Sequence, residues 1–270
     1  MKKFYIFLIS IFIITFIFSF AKFEKTNNDL KNIKTKGVLT VGTTGDYCPM
    51  SCYDKTTKTY VGFDIALAED LAKSLGVNIE YVPTSWPTLM QDVKSKKFDI
   101  AISGITVTTE RKKQALMSEG YLDNGKTILC QKKDVNKYKN LESINKPSVR
   151  VMENPGGMNE KFARENLPDA KLIIHDVNYE IPKLIATDKA DVMITEIIEA
   201  NYYSNIYKNL AIPVSIIPST KSQIGMLLPK ENKSLLKYVN EFIEKEKQSG
   251  RITELEKIYI YSNKPLINHN

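Results

Sequence analysis

From Lys36 onward, short runs rich in β-branched residues alternate with runs whose apolar residues recur at helical spacing, and this alternation narrows the possible folds more than any other feature. "GVLTVGTT" is followed by "GFDIALAEDLAKSLG", in which Phe63, Ala66, Leu67, Leu71 and Leu75 share one helix face and Gly76 marks the end. "NIEYVPT" leads to "WPTLMQDVKSKK", where Pro87 suits a first helical turn, and "FDIAISG" precedes "TTERKKQALMS". Strand, helix, strand, helix, strand implies a parallel sheet with helices on its faces. A second set runs "VRVMENPGG", "NEKFARENL", "KLIIHD", "NYEIPKLIAT", "ADVMIT" and a helix from Glu196 to about Ile206. The long helix "NKSLLKYVNEFIEKEKQSG" comes last. The expectation is α/β with two lobes: a discontinuous lobe 1 over residues 36–126 plus 222–262, and lobe 2 over 127–221. Crossings near residues 126–131 and 217–227 would form a two-segment hinge, with the ligand cleft between the lobes.

A chain of 270 residues, 43% of them hydrophobic, can build two such cores. Ahead of them, Lys2 and Lys3, an apolar run and the triplet Ser19, Phe20, Ala21 form the pattern of a signal peptide over residues 1–21. The alternative is an uncleaved anchor, since Phe4 to Ala21 approaches spanning length. No cysteine ends the run, so no lipid anchor is expected, and the mature protein would be periplasmic or extracellular. Lysine and arginine outnumber acids by 38 to 31 but scatter along helical stretches, which reads as a solvated basic surface and not a nucleic-acid interface. An exported chain could join Cys48 to Cys52 and leave Cys130 buried. With His175 and His269 its sole histidines and no "GxSxG", the chain offers little for a zinc set or a hydrolase triad; neither metal nor cofactor is expected.

In open α/β sheets ligands bind outside the carboxyl ends of the strands. Those exits are "TTGDY", "PTSW", "SGIT", "ENPGGMNE" and "TEIIE", and they supply Asp46, Tyr47, Trp86, Ser103, Gly104, Thr106, Asn154, Gly157 and Asn159. Arg111, in the first turn after "SGIT", can hold a carboxylate through two charge-assisted hydrogen bonds, or can be a surface residue beside Lys112 and Lys113. The N–H groups of "NPGG" can receive an anion, or the stretch is simply a turn. Trp86 and Tyr47 either stack on a ring-shaped ligand or pack on their own lobe. Glu196 and Glu199 share one face of a first helical turn, with Thr195 a fair N-cap. They either face water as helix-start acids or face a ligand.

Between about Gly37 and Gly250 the chain resembles the type II periplasmic amino-acid-binding proteins of ABC transporters, through "GVLTVGTTGDYCP", "GFDIALAEDLAKSLG" and "SGITVTTERKKQ". The resemblance implies the type II two-lobed fold and a carboxylate clamp at Arg111. Within that family "TTGDY", "VPTSWPTLMQD", "FDIAISGIT", "NGKT", "NPGGMNEKFARENL" and "ADVMITEIIEA" resemble the cyclohexadienyl dehydratases. Those are exported enzymes that turn prephenate to phenylpyruvate and arogenate to phenylalanine. This narrower likeness implies Glu199 as general acid and Asn154 as its companion in the active site. Substrate contacts would come from Arg111, Thr106, Ser103, Gly104, Trp86, Tyr47, Asp46, Gly157, Asn159 and Glu196. Three positions depart from the pattern: Glu196 stands where aspartate is usual, Met158 where threonine is usual, and Cys48 with Met50 replace lysine and phenylalanine. The alternative is a non-catalytic receptor that hands an amino acid to an ABC permease. Under either reading the partner is a small carboxylate: prephenate, arogenate or an amino acid.

Overall fold

A computed structural model of the chain describes residues 29–267. The expected signal peptide lies outside them. A helix at Asp29–Lys36, ahead of the first periodic run, places Ile33 in the core. The strands of the first half are β1 (Val38–Thr43), β2 (Asp46–Tyr47), β3 (Ser51–Asp54), β4 (Thr59–Val61), β5 (Asn78–Pro83), β6 (Ile100–Ala101) and β7 (Leu116–Met117). Then come β8 (Leu122–Asn124), β9 (Lys126–Gln131), β10 (Arg150–Glu153), β11 (Lys171–Ile174), β12 (Val192–Glu196), β13 (Leu210–Ala211), β14 (Ser222–Ile224) and β15 (Leu227–Leu228).

Two five-stranded sheets result, in the orders β5-β1-β6-β15-β7 and β11-β10-β12-β9-β13. Neither is wholly parallel, as the strand-helix alternation alone would have it. β1 pairs in parallel with β5 and β6, and β10 with β11 and β12. The strands that enter from the other half run the opposite way: β15 is antiparallel to β6 and β7, and β9 to β12 and β13. Residues 126–131, expected in the crossing, are thus β9, buried along its whole length within the second sheet. The crossing is the short antiparallel ribbon of β8 and β14.

Each sheet buries an apolar layer. In the first, Leu39, Val41 and Ile100 meet Phe63, Leu67 and Leu71 of the helix Phe63–Leu75, whose αL Gly76 closes it as expected. The helix Lys233–Gln248 turns Leu235, Val239, Phe242 and Ile243 onto the same core, an apolar stripe at helical spacing. In the second, Ile128, Val151, Val192 and Ile194 form one layer and Leu129, Met193, Ile181, Tyr202 and Tyr203 the other. Between β1 and the helix Phe63–Leu75, a meander of β2, β3 and β4 is joined at its first turn by the Cys48–Cys52 disulfide, and Cys130 is a buried free thiol. The carboxyl ends of β1, β6, β10 and β12 converge on one cleft.

Candidate active site

Glu196 and Glu199 sit where β12 passes into the helix Ile197–Ile206. Strand geometry holds through Glu196, which occupies the N-cap position without capping through its side chain. Neither acid faces water: Glu196 is 5% exposed and Glu199 0%. Thr195 does not cap the helix; its hydroxyl donates to Glu199 Oε2 instead. The amide of Asn178 donates to Glu199 Oε1 at 2.6 Å. Burial raises the Glu199 pKa to about 8 against the two hydrogen bonds, helped by the nearby Glu196 and Asp46 carboxylates. A carboxyl in this state is largely protonated at neutral pH. The Thr195 hydroxyl can accept its proton as readily as donate to its carboxylate.

Glu196 has a different task. Its Oε2 accepts from the Tyr47 hydroxyl at 2.6 Å and from Asn124 Nδ2 at 2.9 Å. Its Oε1 accepts from Thr106 Oγ1 at 2.8 Å and stands 3.8 Å from Lys126 Nζ. Tyr47 and Thr106 belong to the first half, Asn124 to the crossing ribbon and Lys126 to the second half, so one carboxylate ties all three together. Register sets the pairing with Lys126, because Glu196 lies directly opposite it across the antiparallel β12–β9 ladder. Lys126 Nζ also donates to Asn159 Oδ1 at 2.5 Å and lies 5.7 Å from the Phe162 ring centroid.

The cleft is lined by Tyr47, Trp86, Gly104, Thr106 and Arg111 from one side and by Asn154, Gly157, Met158, Asn159, Asn178 and Glu196 from the other. The space between them is about 340 Å³, part of it open to solvent. Arg111 is buried; Thr108 caps its short helix by accepting from Arg111 N, and one guanidinium nitrogen donates to the Thr106 carbonyl at 2.7 Å. Trp86 stands in a turn before the helix Leu89–Lys94 instead of opening it. Its indole N–H donates to Asp46 Oδ1 at 3.0 Å, and its ring meets Tyr47 edge-on at 5.7 Å.

Two expected contacts turn away from the cleft. Ser103 is fully buried behind the wall, where its Oγ accepts from Thr44 N at 3.0 Å and pairs with the Thr44 hydroxyl. The N–H of Gly156 is occupied, donating to Glu160 Oε2 at 2.6 Å, so that part of the "NPGG" loop is closed to an outside anion. Asp46 holds the indole and is not itself part of the lining, while Glu199 stands just behind Asn178.

Gly104 is required where it stands. Its φ is +65°, and a Cβ there would lie 2.5 Å from the Tyr47 ring. Gly104→Ala is expected to cost about 2–4 kcal/mol through left-handed strain and displacement of Tyr47. Equilibrium urea unfolding would measure it, and a change below about 0.5 kcal/mol would show that the ring yields freely.

Three residues of the site escaped the sequence reading. Lys126 looked like a crossing lysine. Asn178, expected as the first residue of the helix "NYEIPKLIAT", lies in the 3₁₀ turn Asn178–Glu180 ahead of it; it is 1% exposed, bonds Glu199 and the Asp46 carbonyl, and keeps Oδ1 without a protein donor. Glu153 ends β10 fully buried, with Oε1 accepting from Ile194 N at 2.6 Å and Oε2 unpaired; burial holds its pKa well above the ordinary carboxyl range. A carboxylate in an apolar strand was the one visible signal for it. Removing the Asn178 donor would leave the Glu199 carboxylate less stabilised. Asn178→Ala is therefore expected to move any alkaline limb of activity upward from its position near pH 8. A pH–rate profile shifted downward or unmoved would contradict this.

Residues 39–262 match the bacterial extracellular solute-binding proteins, family 3. The chain belongs to that family. Among its relatives, the cyclohexadienyl dehydratase of Pseudomonas aeruginosa is 39% identical over 234 residues, 87% of each chain. An ancestral amino-acid-binding protein described as a precursor of cyclohexadienyl dehydratase is 37% identical, with a TM-score of 0.79 over 86% of this chain and 99% of its own. A solved variant of an ancestral cyclohexadienyl dehydratase is 48% identical, with a TM-score of 0.55 over 86% of this chain and 96% of its own. This family-3 solute-binding protein thus has the two α/β lobes of the type II periplasmic fold, and its kin are extracellular or periplasmic. Among the described residues no helix is long and apolar enough to cross a membrane.

Proposed function

We propose that this chain is an exported cyclohexadienyl dehydratase, a lyase that removes CO₂ and water from prephenate, arogenate or both. The observation that carries the reading is Glu199, a fully buried carboxyl beside the cleft with its pKa raised to about 8. A dehydratase needs a protonated acid to deliver a proton to a departing hydroxyl, and Glu199, unlike the buried Glu153, is bonded to a residue that lines the cleft, Asn178. In the reaction the bond from ring carbon to ring carboxylate breaks and CO₂ leaves. The freed electron pair enters the ring, and the carbon–oxygen bond to the ring hydroxyl breaks as Glu199 delivers its proton, giving water and an aromatic ring. Glu199, left as carboxylate, regains its proton from solvent. Asn178, which both lines the cleft and bonds Glu199 Oε1, marks where the leaving hydroxyl enters. Arg111 anchors a substrate carboxylate, Trp86 and Tyr47 pack against the ring, and Asn154 with Gly157 and Asn159 closes the other wall.

The same reading makes residues 1–21 a removable signal peptide and divides the mature chain into lobes at the β8–β14 ribbon. A second reading, amino-acid receptor for an ABC permease, draws on the likeness to the ancestral amino-acid-binding protein. Incubating the mature protein with prephenate and following phenylpyruvate separates them. Phenylpyruvate formation supports the enzyme; no product together with tight calorimetric binding of an amino acid supports the receptor.

A further inference from the structure

The Glu196 carboxylate bears on which carboxylate the cleft accepts. In a site that holds an amino acid, one acidic group must take the ligand ammonium, and that group needs an oxygen free to receive it. Here Oε2 has both lone pairs taken, and Oε1 has one taken with a lysine ammonium already beside it. Tyr47 and Asn124 donate to Oε2, Thr106 donates to Oε1, and Lys126 Nζ supplies a positive charge 3.8 Å from Oε1. The longer glutamate side chain brings its head to the β9 lysine across the ladder, and Lys126 is fixed there by Asn159. The place of a ligand amine beside this acid is thus held by the protein's own amine. The other carboxylate near the wall, Asp46, is tied to the Trp86 indole. Arg111 lines the cleft, and beside the Glu196 carboxylate of the same wall stands a resident cation, Lys126. An ammonium on the ligand would be repelled by that resident cation, and an uncharged keto oxygen would not.

We propose that the Lys126–Glu196 pair makes this site selective for the 2-keto acid form of its substrate over the 2-amino form, so that prephenate is preferred to arogenate. The inference rests on the dehydratase reading for its substrates, but not for its logic. On the mature protein, kcat/KM for prephenate is expected to exceed that for arogenate by at least about 10-fold, the ratio set by about 1.4 kcal/mol of discrimination. Lys126→Met opens the position beside Glu196 to a ligand amine and is expected to cut that ratio at least about 10-fold, whereas Lys126→Arg, which keeps a cation there, preserves it. Equal use of the two substrates by the unaltered protein overturns the proposal, and a preference for arogenate would point to Asp46 as the amine acceptor. A Lys126→Met variant that folds and loses both activities in equal proportion overturns it too. Should neither substrate be consumed, the dehydratase reading fails, and calorimetry with phenylpyruvate and phenylalanine still decides the selectivity. Phenylpyruvate binding at least about 10-fold tighter upholds it; phenylalanine binding as tightly or tighter refutes it.

Discussion

Replacing Glu199 by glutamine is expected to lower kcat about 10²- to 10⁴-fold, the range that a positioned general acid contributes, while KM changes only a few-fold. Glutamine keeps the size of the side chain and can still face Asn178 and Thr195, but it has no proton to give. Because the unaltered protein needs Glu199 protonated, its kcat should fall as pH rises past about 8, and the residual activity of the variant should lack that limb. The same substitution should act on stability in the opposite sense. A carboxyl whose pKa rises on folding from about 4.5 to about 8 lends stability fully present below pH 4.5 and lost as pH climbs to 8, since only the folded state holds the proton in that window. Ionising the buried carboxyl costs roughly 4–5 kcal/mol, since each tenfold change in proton affinity is worth about 1.36 kcal/mol. Glu199→Gln should therefore melt higher than the unaltered protein at pH 8.5 and no higher at pH 4.5. Stability gained at the site of chemistry with loss of turnover is the pattern of a functional, strained residue. A variant that keeps more than a tenth of the activity would remove Glu199 from the mechanism.

Arg111→Lys is the second large effect. Lysine preserves the charge but not the planar fork, and it cannot hold the Thr106 carbonyl while also gripping a carboxylate through two parallel bonds. A hydrogen bond to a charged group is worth about 1.5–3 kcal/mol, so kcat/KM should fall about 10- to 150-fold. The loss should lie chiefly in KM, because the carboxylate is bound both before and during bond breaking. Steady-state kinetics with prephenate reads it directly, and a KM within twofold of the original would mean that the anchoring carboxylate lies elsewhere. The two variants together divide the site into a part that binds and a part that transfers a proton.

Much of this site was legible because polar side chains at the ends of apolar strands break the pattern around them. Arg111, Thr106, Trp86, Tyr47, Asn154 and Glu196 all announced themselves in that way, and all line the cleft. Ser103 gave the same signal for another reason: its hydroxyl closes the first strand exit by bonding Thr44, a local duty that sequence position does not distinguish from a ligand contact. The fold class was legible from periodicity, but the direction of β9 and β15 was not. Periodicity reports which face of an element is buried, and it carries no information about which way the element runs or beside which neighbour it lies.

By itself, then, the sequence determined the two α/β units, the strand exits where polar chemistry gathers, and the pair of carboxylates three residues apart. It did not determine what either carboxylate is for. Two acids in a first helical turn are stabilised by the same helix dipole and look alike. Tertiary structure separated them by what surrounds each one. Glu199 is enclosed with two neutral donors, so burial outweighs its hydrogen bonds and the proton stays. Glu196 faces a lysine 70 residues away in the chain, placed opposite it by the register of an antiparallel ladder, and its charge is held by partners from both halves. Desolvation and register are properties of neighbours distant in sequence, which is why only the folded chain could tell the two acids apart.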